Sequence, residues 1–217
     1  AMSATNHPAP MTARTARFWD RVAEGYAKKP VPDEGVYQEK LRITRELLPE
    51  DAKVLEFGCG TGSTALALAP YVGRLLATDV SAKMIEIALG KQGETAENVL
   101  FRQASFDELD QPDESFDVVL GHSILHLLED RDAAIARVWR LLRPGGLFIS
   151  STACIGADMP IFRWIGPIGK ALGLLPYVAV FKDDDLVRSM TEAGFAIERR
   201  WRPGRGRGLF LVARKPA

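Results

Sequence analysis

The sequence is poor in cysteine, in net charge and in long apolar stretches, and each shortage excludes a class of protein. Its 217 residues include two cysteines, Cys59 and Cys154, which are too few for a disulfide framework or a four-cysteine zinc site. Lys and Arg number 28, as do Asp and Glu, so the chain has no basic excess for non-specific nucleic-acid binding. No apolar stretch runs uninterrupted for the roughly 20 residues that a bilayer-spanning helix needs.

The amino-terminal residues have no apolar core of the kind that a secretory signal requires. Ser3–Pro10 is polar and contains prolines, and we expect residues 1–15 to form a disordered tail. The small number of cysteines also fits a reducing compartment, so we predict a cytoplasmic protein. Residues 16–217 are predicted to form a single domain, because their number suits one hydrophobic core.

Short apolar runs alternate with helical patterns through most of the chain, which predicts an α/β fold. Because the runs are apolar on both faces, the sheet that they form is expected to be mainly parallel. Two further runs flank the glycine-rich turn at residues 203–208, and these predict a terminal antiparallel hairpin. The seven predicted strands are residues 53–57, 74–78, 98–102, 116–120, 147–151, 195–201 and 209–214.

A glycine-rich turn follows the first predicted strand, where such turns bind ligands in open sheets. It reads Glu56-Phe57-Gly58-Cys59-Gly60-Thr61-Gly62, and its glycines allow a close approach of a ligand to the backbone. Asp79 ends the second strand, where a carboxylate can accept hydrogen bonds from both hydroxyls of a ribose. The spacing G-x-G-x-G differs from the G-x-G-x-x-G of dinucleotide dehydrogenases, and the terminal hairpin also argues against that class.

At these residues the chain resembles the class I S-adenosylmethionine-dependent methyltransferases, over roughly residues 41–215. It looks most like the methyltransferase type 11 branch, which acts on small molecules and lipids and includes the ubiquinone and menaquinone C-methyltransferases. The family motif E/D-x-G-x-G-x-G is matched by Glu56 and the three glycines, and the Leu141–Gly146 stretch is also typical. The resemblance implies a Rossmann-like sheet of seven strands, mostly parallel, with helices on both faces.

The resemblance also implies S-adenosyl-L-methionine as the cofactor and S-adenosyl-L-homocysteine as its product. It implies that Glu56 and the loop amides hold the methionine part and that Asp79 takes the ribose hydroxyls. By the same resemblance, Val80 and Met84 flank the adenine. The predicted cofactor-binding residues are Tyr26, Glu56, Gly58, Cys59, Gly60, Thr61, Gly62, Asp79, Val80, Met84, Ala104, Ser105, Phe106 and His122.

The chain departs from the family after the third strand, where the family usually has an acidic residue beside the adenine amino group. The matching stretch here is Gln103-Ala104-Ser105-Phe106, which contains no acid. We therefore expect the Ser105 hydroxyl or the Phe106 amide to take the place of that acid.

Two histidines, His122 and His126, follow the fourth predicted strand at the carboxyl edge of the sheet, where ligands bind in such folds. His122 is expected to face the cofactor and His126 to lie one helical turn further on. We predict His126 as the catalytic residue, which takes a proton from the acceptor or orients it. The alternative is that the histidines bind the methionine carboxylate or cap the next helix. An i, i+4 pair can bind a metal, but no third ligand is evident and no metal site is predicted.

Two segments lie outside the alternating pattern and are predicted to cover the site. Residues 16–48 read as helices, and in the resembled family this segment folds over the cofactor as a lid. Tyr26 and Tyr37 are expected either to contact the methionine part or the substrate, or to pack the lid on the core. Residues 155–182 form an apolar insert that in the family commonly covers the acceptor; a dimer face or a core cover is the alternative. The predicted substrate-binding residues are Tyr37, His126, Phe162, Trp164 and Tyr177.

The apolar insert predicts a small acceptor that is apolar or lipid-like. Seven basic residues without an acid lie between Arg199 and Lys215, and they provide either a contact with the anionic inner face of a membrane or a solvated surface. Two other functions stay open: a phospholipid head-group N-methyltransferase at the membrane surface, and a non-catalytic S-adenosylmethionine-binding protein. The oligomeric state is also open.

Overall fold

The computed structural model describes residues 11–94, 96–154, 177–204 and 207–217. The predicted substrate residues Phe162 and Trp164, most of the predicted insert and residues 1–10 lie outside these ranges. Within them the chain forms seven strands: β1 Lys53–Phe57, β2 Arg74–Asp79, β3 Val99–Gln103, β4 Phe116–His122, β5 Leu142–Thr152, β6 Ala196–Trp201 and β7 Leu209–Arg214. The α-helices of the described ranges are α1 Met11–Ala27, α2 Glu34–Leu47, α3 Ser63–Leu68, α4 Ala82–Gln92, α5 Arg131–Leu141 and α6 Asp183–Glu192.

All seven strands join one sheet in the order β3-β2-β1-β4-β5-β7-β6. The first five strands of the chain pair in parallel, whereas β7 pairs antiparallel with both β5 and β6. This arrangement confirms the predicted Rossmann-like sheet and its terminal antiparallel hairpin. The carboxyl ends of β2, β1, β4 and β5 consequently lie side by side at one edge, where open α/β sheets bind ligands.

Alternate residues of each central strand enter two separate cores, one on each face of the sheet. Val54 and Val118 belong to the core that α2, α3 and α4 cover. Leu55 and Val119 belong to the core that α5 and α6 cover. Burial on both faces explains why these strands read as continuous apolar runs and not as alternating patterns.

Two predicted boundaries are wrong. Helix α1 begins at Met11, so residues 11–15 belong to a helix and not to the disordered tail. Strand β5 begins at Leu142 and not at residue 147, although a Pro-Gly-Gly sequence lies inside it. The strand continues because Gly145 takes a positive φ of 79°. The backbone of Lys215 also pairs with both glycines: Gly145 N donates a hydrogen bond to Lys215 O, and Lys215 N donates one to Gly146 O, each at 2.9 Å. Among the described residues, no helix is both long and apolar enough to cross a bilayer.

Candidate active site

A cavity of about 730 Å³ lies at the carboxyl edge of the sheet, below helices α1 and α2. Its volume is within the range of pockets that hold a cofactor and a small substrate. All the predicted cofactor-binding residues except Gly62 line it, so the structure brings together side chains that are far apart in sequence. The lining residues among them are Tyr26, Glu56, Gly58, Cys59, Gly60, Thr61, Asp79, Val80, Met84, Ala104, Ser105, Phe106 and His122.

The glycines of the loop after β1 have two different functions. Gly60 lines the cavity with a φ of 54°, and a Cβ added to it would meet no atom within 4 Å. The space in front of Gly60 is therefore free for a ligand. Gly62 does not line the cavity formed by the described residues; a Cβ there would lie 2.6 Å from the ring of Phe101. Gly62 thus allows α3 to start close to β3, which differs from the predicted cofactor contact.

Asp79 is fixed between the glycine loop and the start of α4. Its Oδ2 accepts a hydrogen bond from Gly60 N and its Oδ1 accepts one from Ser81 N, both at 2.9 Å. Burial raises the pKa of the Asp79 carboxyl, and these backbone hydrogen bonds oppose that rise. The carboxylate consequently points to the cavity in one orientation, as a bidentate contact with a ribose requires.

Glu56 carries a buried carboxyl group with one oxygen that has no partner. Its Oε2 makes no hydrogen bond within the described part of the chain, and the residue lines the cavity from strand β1. Burial, followed by the negative charge of Asp79, raises the pKa of Glu56 to about 8. A buried unpartnered carboxyl is costly, and a cationic ligand group would remove that cost.

His122 lies at the end of β4, beside Ser151 at the end of β5. Burial and the nearby charge of Lys40 lower the pKa of His122 to about 4. The imidazole is therefore neutral at pH 7, and its two nitrogens offer one hydrogen-bond donor and one acceptor to a ligand. The Nζ of Lys40, in helix α2, donates a 2.7 Å hydrogen bond to the hydroxyl of Ser151.

Sequence reasoning missed Lys40, Ser151 and Arg207, all of which line the cavity. No motif singles them out, because they come from a helix, a strand and a loop that only the fold brings together. The one available signal was the position of Ser151 at the end of a predicted central strand.

The structure does not bring His126 to the cavity lined by the described residues. The chain leaves β4 through Ser123, whose φ is 55°, and then forms a short 3-10 turn at Leu125–Leu127. His122 and His126 are consequently not one turn apart on a helix, and the predicted catalytic role of His126 has no geometric support. Its buried Nδ1 has no hydrogen-bond partner among the residues that the structure describes, and burial lowers its pKa to about 4.

Of the other predicted substrate residues, Tyr37 lines the cavity and Tyr177 lies at a separate groove beside α5 and α6. The hydroxyl of Tyr37 lies 3.4 Å from that of Thr64, which ties α2 to α3. Tyr26 is 50% exposed and packs edge-on against Trp19, with ring centroids 6.3 Å apart. The roles of these residues toward ligands stay predictions.

A half-buried polar contact connects helix α1 to the start of α4. Asp20 Oδ1 accepts hydrogen bonds from the hydroxyl of Ser81, at 2.6 Å, and from Lys83 N, at 3.1 Å. Ser81 also caps α4, because its Oγ accepts a hydrogen bond from Met84 N at 3.1 Å. Asp20 therefore connects the predicted lid to the same helix start that orients Asp79.

Replacing Asp20 with alanine is expected to lower the free energy of unfolding by about 1–2 kcal/mol, because the Ser81 hydroxyl and the Lys83 amide lose a charged acceptor. Urea unfolding measures this loss, and trypsin should cleave at Arg17 and Arg21 in α1 faster than in the unmodified protein. Glu24→Ala is the matched control, since it removes only an exposed ion pair with Lys83 at 3.7 Å. Equal losses for the two variants would refute the proposed anchoring.

The comparisons with known proteins agree with this geometry. Residues 55–150 match a family model described as a methyltransferase domain, and this range includes the glycine loop and Asp79. The uncharacterized methyltransferase YcgJ of Bacillus subtilis is 35% identical over 128 residues, which are 58% of this chain and 50% of that protein. Over residues 55–150, the chain therefore carries a methyltransferase domain of the S-adenosylmethionine-dependent class.

Further relatives of the methyltransferase domain differ in their named substrates. A ubiquinone biosynthesis O-methyltransferase of Chelativorans is 27% identical over 161 residues, 70% of this chain and 61% of that protein. The chain thus spans about half to three fifths of the length of these curated relatives. An S-adenosylmethionine-dependent methyltransferase of Mesorhizobium loti superposes with a TM-score of 0.64 and 22% identity, over 80% of this chain and 96% of that one. This last likeness shows the fold alone.

The cavity of the methyltransferase domain fits S-adenosylmethionine on two structural features. The unpartnered oxygen of Glu56 offers an acceptor for the cofactor's ammonium group, and the open space at Gly60 admits a ligand against the loop backbone. Phe106 lines the cavity and stacks its ring on Phe57, with centroids 4.2 Å apart, and the Ser105 hydroxyl and the Phe106 amide both stay predicted partners of the adenine. Asp79 remains the proposed partner of the ribose hydroxyls.

Proposed function

We propose that this chain transfers a methyl group from S-adenosylmethionine to a small acceptor with an apolar, lipid-like body. The observation that carries this proposal is the lining of the cavity beyond the cofactor residues. Helix α2, the loop before it and the turn after β4 present apolar side chains to the same space as His122. These side chains are Val31, Val36, Leu41, Ile124, Leu127 and Leu128. The name of the ubiquinone biosynthesis relative supports an acceptor of this class.

The proposed reaction needs little chemistry from the protein. When bound, S-adenosylmethionine would supply a methyl group on a sulfonium; the acceptor's nucleophile would bond to that carbon, and the electron pair of the broken carbon–sulfur bond would stay on sulfur. Positioning of the two reactants and exclusion of water provide most of the rate acceleration in such a displacement. We propose that His122, which is neutral and lies at the end of β4, orients the acceptor through a hydrogen bond.

The basic residues near the carboxyl terminus do not support the predicted membrane contact. Most of them pair with carboxylates from other parts of the fold, which the sequence alone did not reveal. The pairs are Arg200–Asp184, Arg202–Asp183, Arg207–Asp33, Arg214–Glu198 and Lys215–Glu114. Because these charges are balanced locally, we propose a small-molecule acceptor and not a phospholipid head group at a membrane surface.

Transfer of a labelled methyl group tests the proposed function. The purified protein would receive S-adenosylmethionine with a labelled methyl, together with a bacterial extract, and the products would be partitioned between water and an organic solvent. Label in the organic phase supports the proposal, and Asp79→Ala protein should give no such label. Label only in water-soluble products contradicts the apolar acceptor. If the cofactor binds but no label moves in extracts from several bacteria, the non-catalytic alternative replaces the proposal.

A further inference from the structure

A positively charged corner lies at one end of the cavity, next to His122. Lys40 of α2 bonds to Ser151 at the end of β5, and the guanidinium of Arg207 pairs with Asp33 at 3.0 Å. Asp33 also caps α2, since its Oδ1 accepts a hydrogen bond from Val36 N at 3.1 Å. The capped helix start therefore holds Arg207 close to the Lys40 side chain.

The charge of Lys40 is not balanced within the described part of the chain. Its ammonium forms no ion pair there within 4.0 Å, and its one hydrogen bond goes to the neutral hydroxyl of Ser151. Asp33 balances Arg207, and His122 is neutral at pH 7, so the corner retains one positive charge. Lys40 is half-buried; burial and then the charge of Arg207 lower its pKa, and the charge of Asp33 only partly opposes them. An anion at this position would replace the lost solvation of the ammonium.

The strand order places this corner away from the predicted cofactor site. Asp79 ends β2 and Glu56 lies on β1, whereas Ser151, which holds Lys40, lies on β5. The order β2-β1-β4-β5 and a strand spacing of about 4.8 Å put β5 roughly 14 Å from β2. The ammonium of Lys40 consequently lies on the β5 side of His122, away from the residues predicted for the ribose and adenine.

We infer that the acceptor carries a carboxylate, which Lys40 binds with Arg207 beside it, while its apolar body contacts the side chains of α2 and the turn after β4. A single net positive charge matches a carboxylate better than a doubly charged phosphate. This inference rests on the proposed function, because it assigns the substrate class of the same cavity. Lys40 acts by binding the acceptor and is not part of the cofactor site.

The binding of octanoate, compared with that of the uncharged octanamide, tests the inference on protein saturated with S-adenosylhomocysteine. Titration calorimetry should show octanoate binding at least tenfold more tightly than octanamide. Lys40→Met should weaken octanoate about tenfold and leave octanamide unchanged, and Lys40→Arg should restore most of the affinity. Lys53→Met is the matched control, since Lys53 is exposed at the opposite edge of the sheet, and it should change neither probe.

Two results would overturn the inference. Equal binding of octanoate and octanamide to the unmodified protein would show that the corner does not select a carboxylate. Loss of S-adenosylhomocysteine affinity in Lys40→Met would instead place Lys40 against the carboxylate of the cofactor. Both results differ from a failure of the proposed function. In that case no methyl transfer would be found, although the Lys40 variants would still change the binding of octanoate relative to octanamide.

Discussion

Replacing Asp79 with alanine is expected to weaken the binding of S-adenosylhomocysteine about a hundredfold. The variant loses the proposed pair of hydrogen bonds to the ribose, and these contribute together about 3 kcal/mol, or two factors of ten in affinity. It also frees the amides of Gly60 and Ser81, which the carboxylate holds at 2.9 Å, so the glycine loop loses the contact that orients it. Titration calorimetry at a fixed pH gives the dissociation constant directly.

The control for this variant is Asp113→Asn, an exposed carboxylate in the loop before β4, which should leave the affinity unchanged. Thermal unfolding must show that Asp79→Ala is still folded. If a folded Asp79→Ala protein binds S-adenosylhomocysteine as tightly as the unmodified chain, the ribose contact is assigned to the wrong residue.

The part of the cavity predicted to bind the cofactor could be located from the sequence because local segments form it. A glycine loop directly after a buried strand must open at the carboxyl edge of the sheet, and so must the acid that ends the neighbouring strand. The positions of Glu56, Gly60 and Asp79 follow from these two segments and from the parallel pairing of β1 with β2. Only Gly62 differs, because its closeness to Phe101 depends on how α3 packs against β3.

The part of the cavity around Lys40, which we propose for the acceptor, was not predictable because it depends on long-range contacts. Lys40 and Ser151 are far apart in sequence, and their hydrogen bond exists only once α2 crosses the ends of β4 and β5. The ion pair between Arg207 and Asp33 also joins residues that are far apart in sequence. It neutralises part of a basic segment for which the sequence showed no acidic partner. The position of His126 differs from the prediction for a local reason: the positive φ of Ser123 interrupts the helix that the i, i+4 spacing assumed.

Glu56 is expected to make both stability and cofactor binding depend on pH. Its pKa rises from an ordinary 4.5 to about 8 in the folded protein, so the native state holds more protons than the unfolded state between these values. The contribution of Glu56 to stability is therefore full at low pH and is lost as the pH rises through 8; from pH 6.5 to 8.5 the free energy of unfolding should drop by about 2 kcal/mol. His122 and His126, with pKa values lowered to about 4, act in the opposite direction only below about pH 6.5.

Urea unfolding of the cofactor-free protein at several pH values from 6.5 to 8.5 measures this drop, and Glu56→Gln should remove it. The same variant separates the effect of Glu56 on stability from its effect on binding. Burying a neutral glutamine costs no more free energy than burying a carboxylate, but glutamine cannot form an ion pair with an ammonium. We therefore expect Glu56→Gln to unfold at higher urea than the unmodified chain at pH 8.5 and to bind S-adenosylhomocysteine about a hundredfold more weakly.

Proton release decides whether Glu56 is the partner of the cofactor's amino group. An ammonium beside Glu56 favours the ionised carboxylate, so binding near pH 7 should release most of one proton and the affinity should rise with pH up to about 8. Calorimetry in phosphate and in Tris, which differ in ionisation enthalpy, counts the protons released. A release that persists in Glu56→Gln, or an affinity that is flat with pH in the unmodified protein, would assign the amino group to another residue and leave the buried carboxyl as a purely structural group.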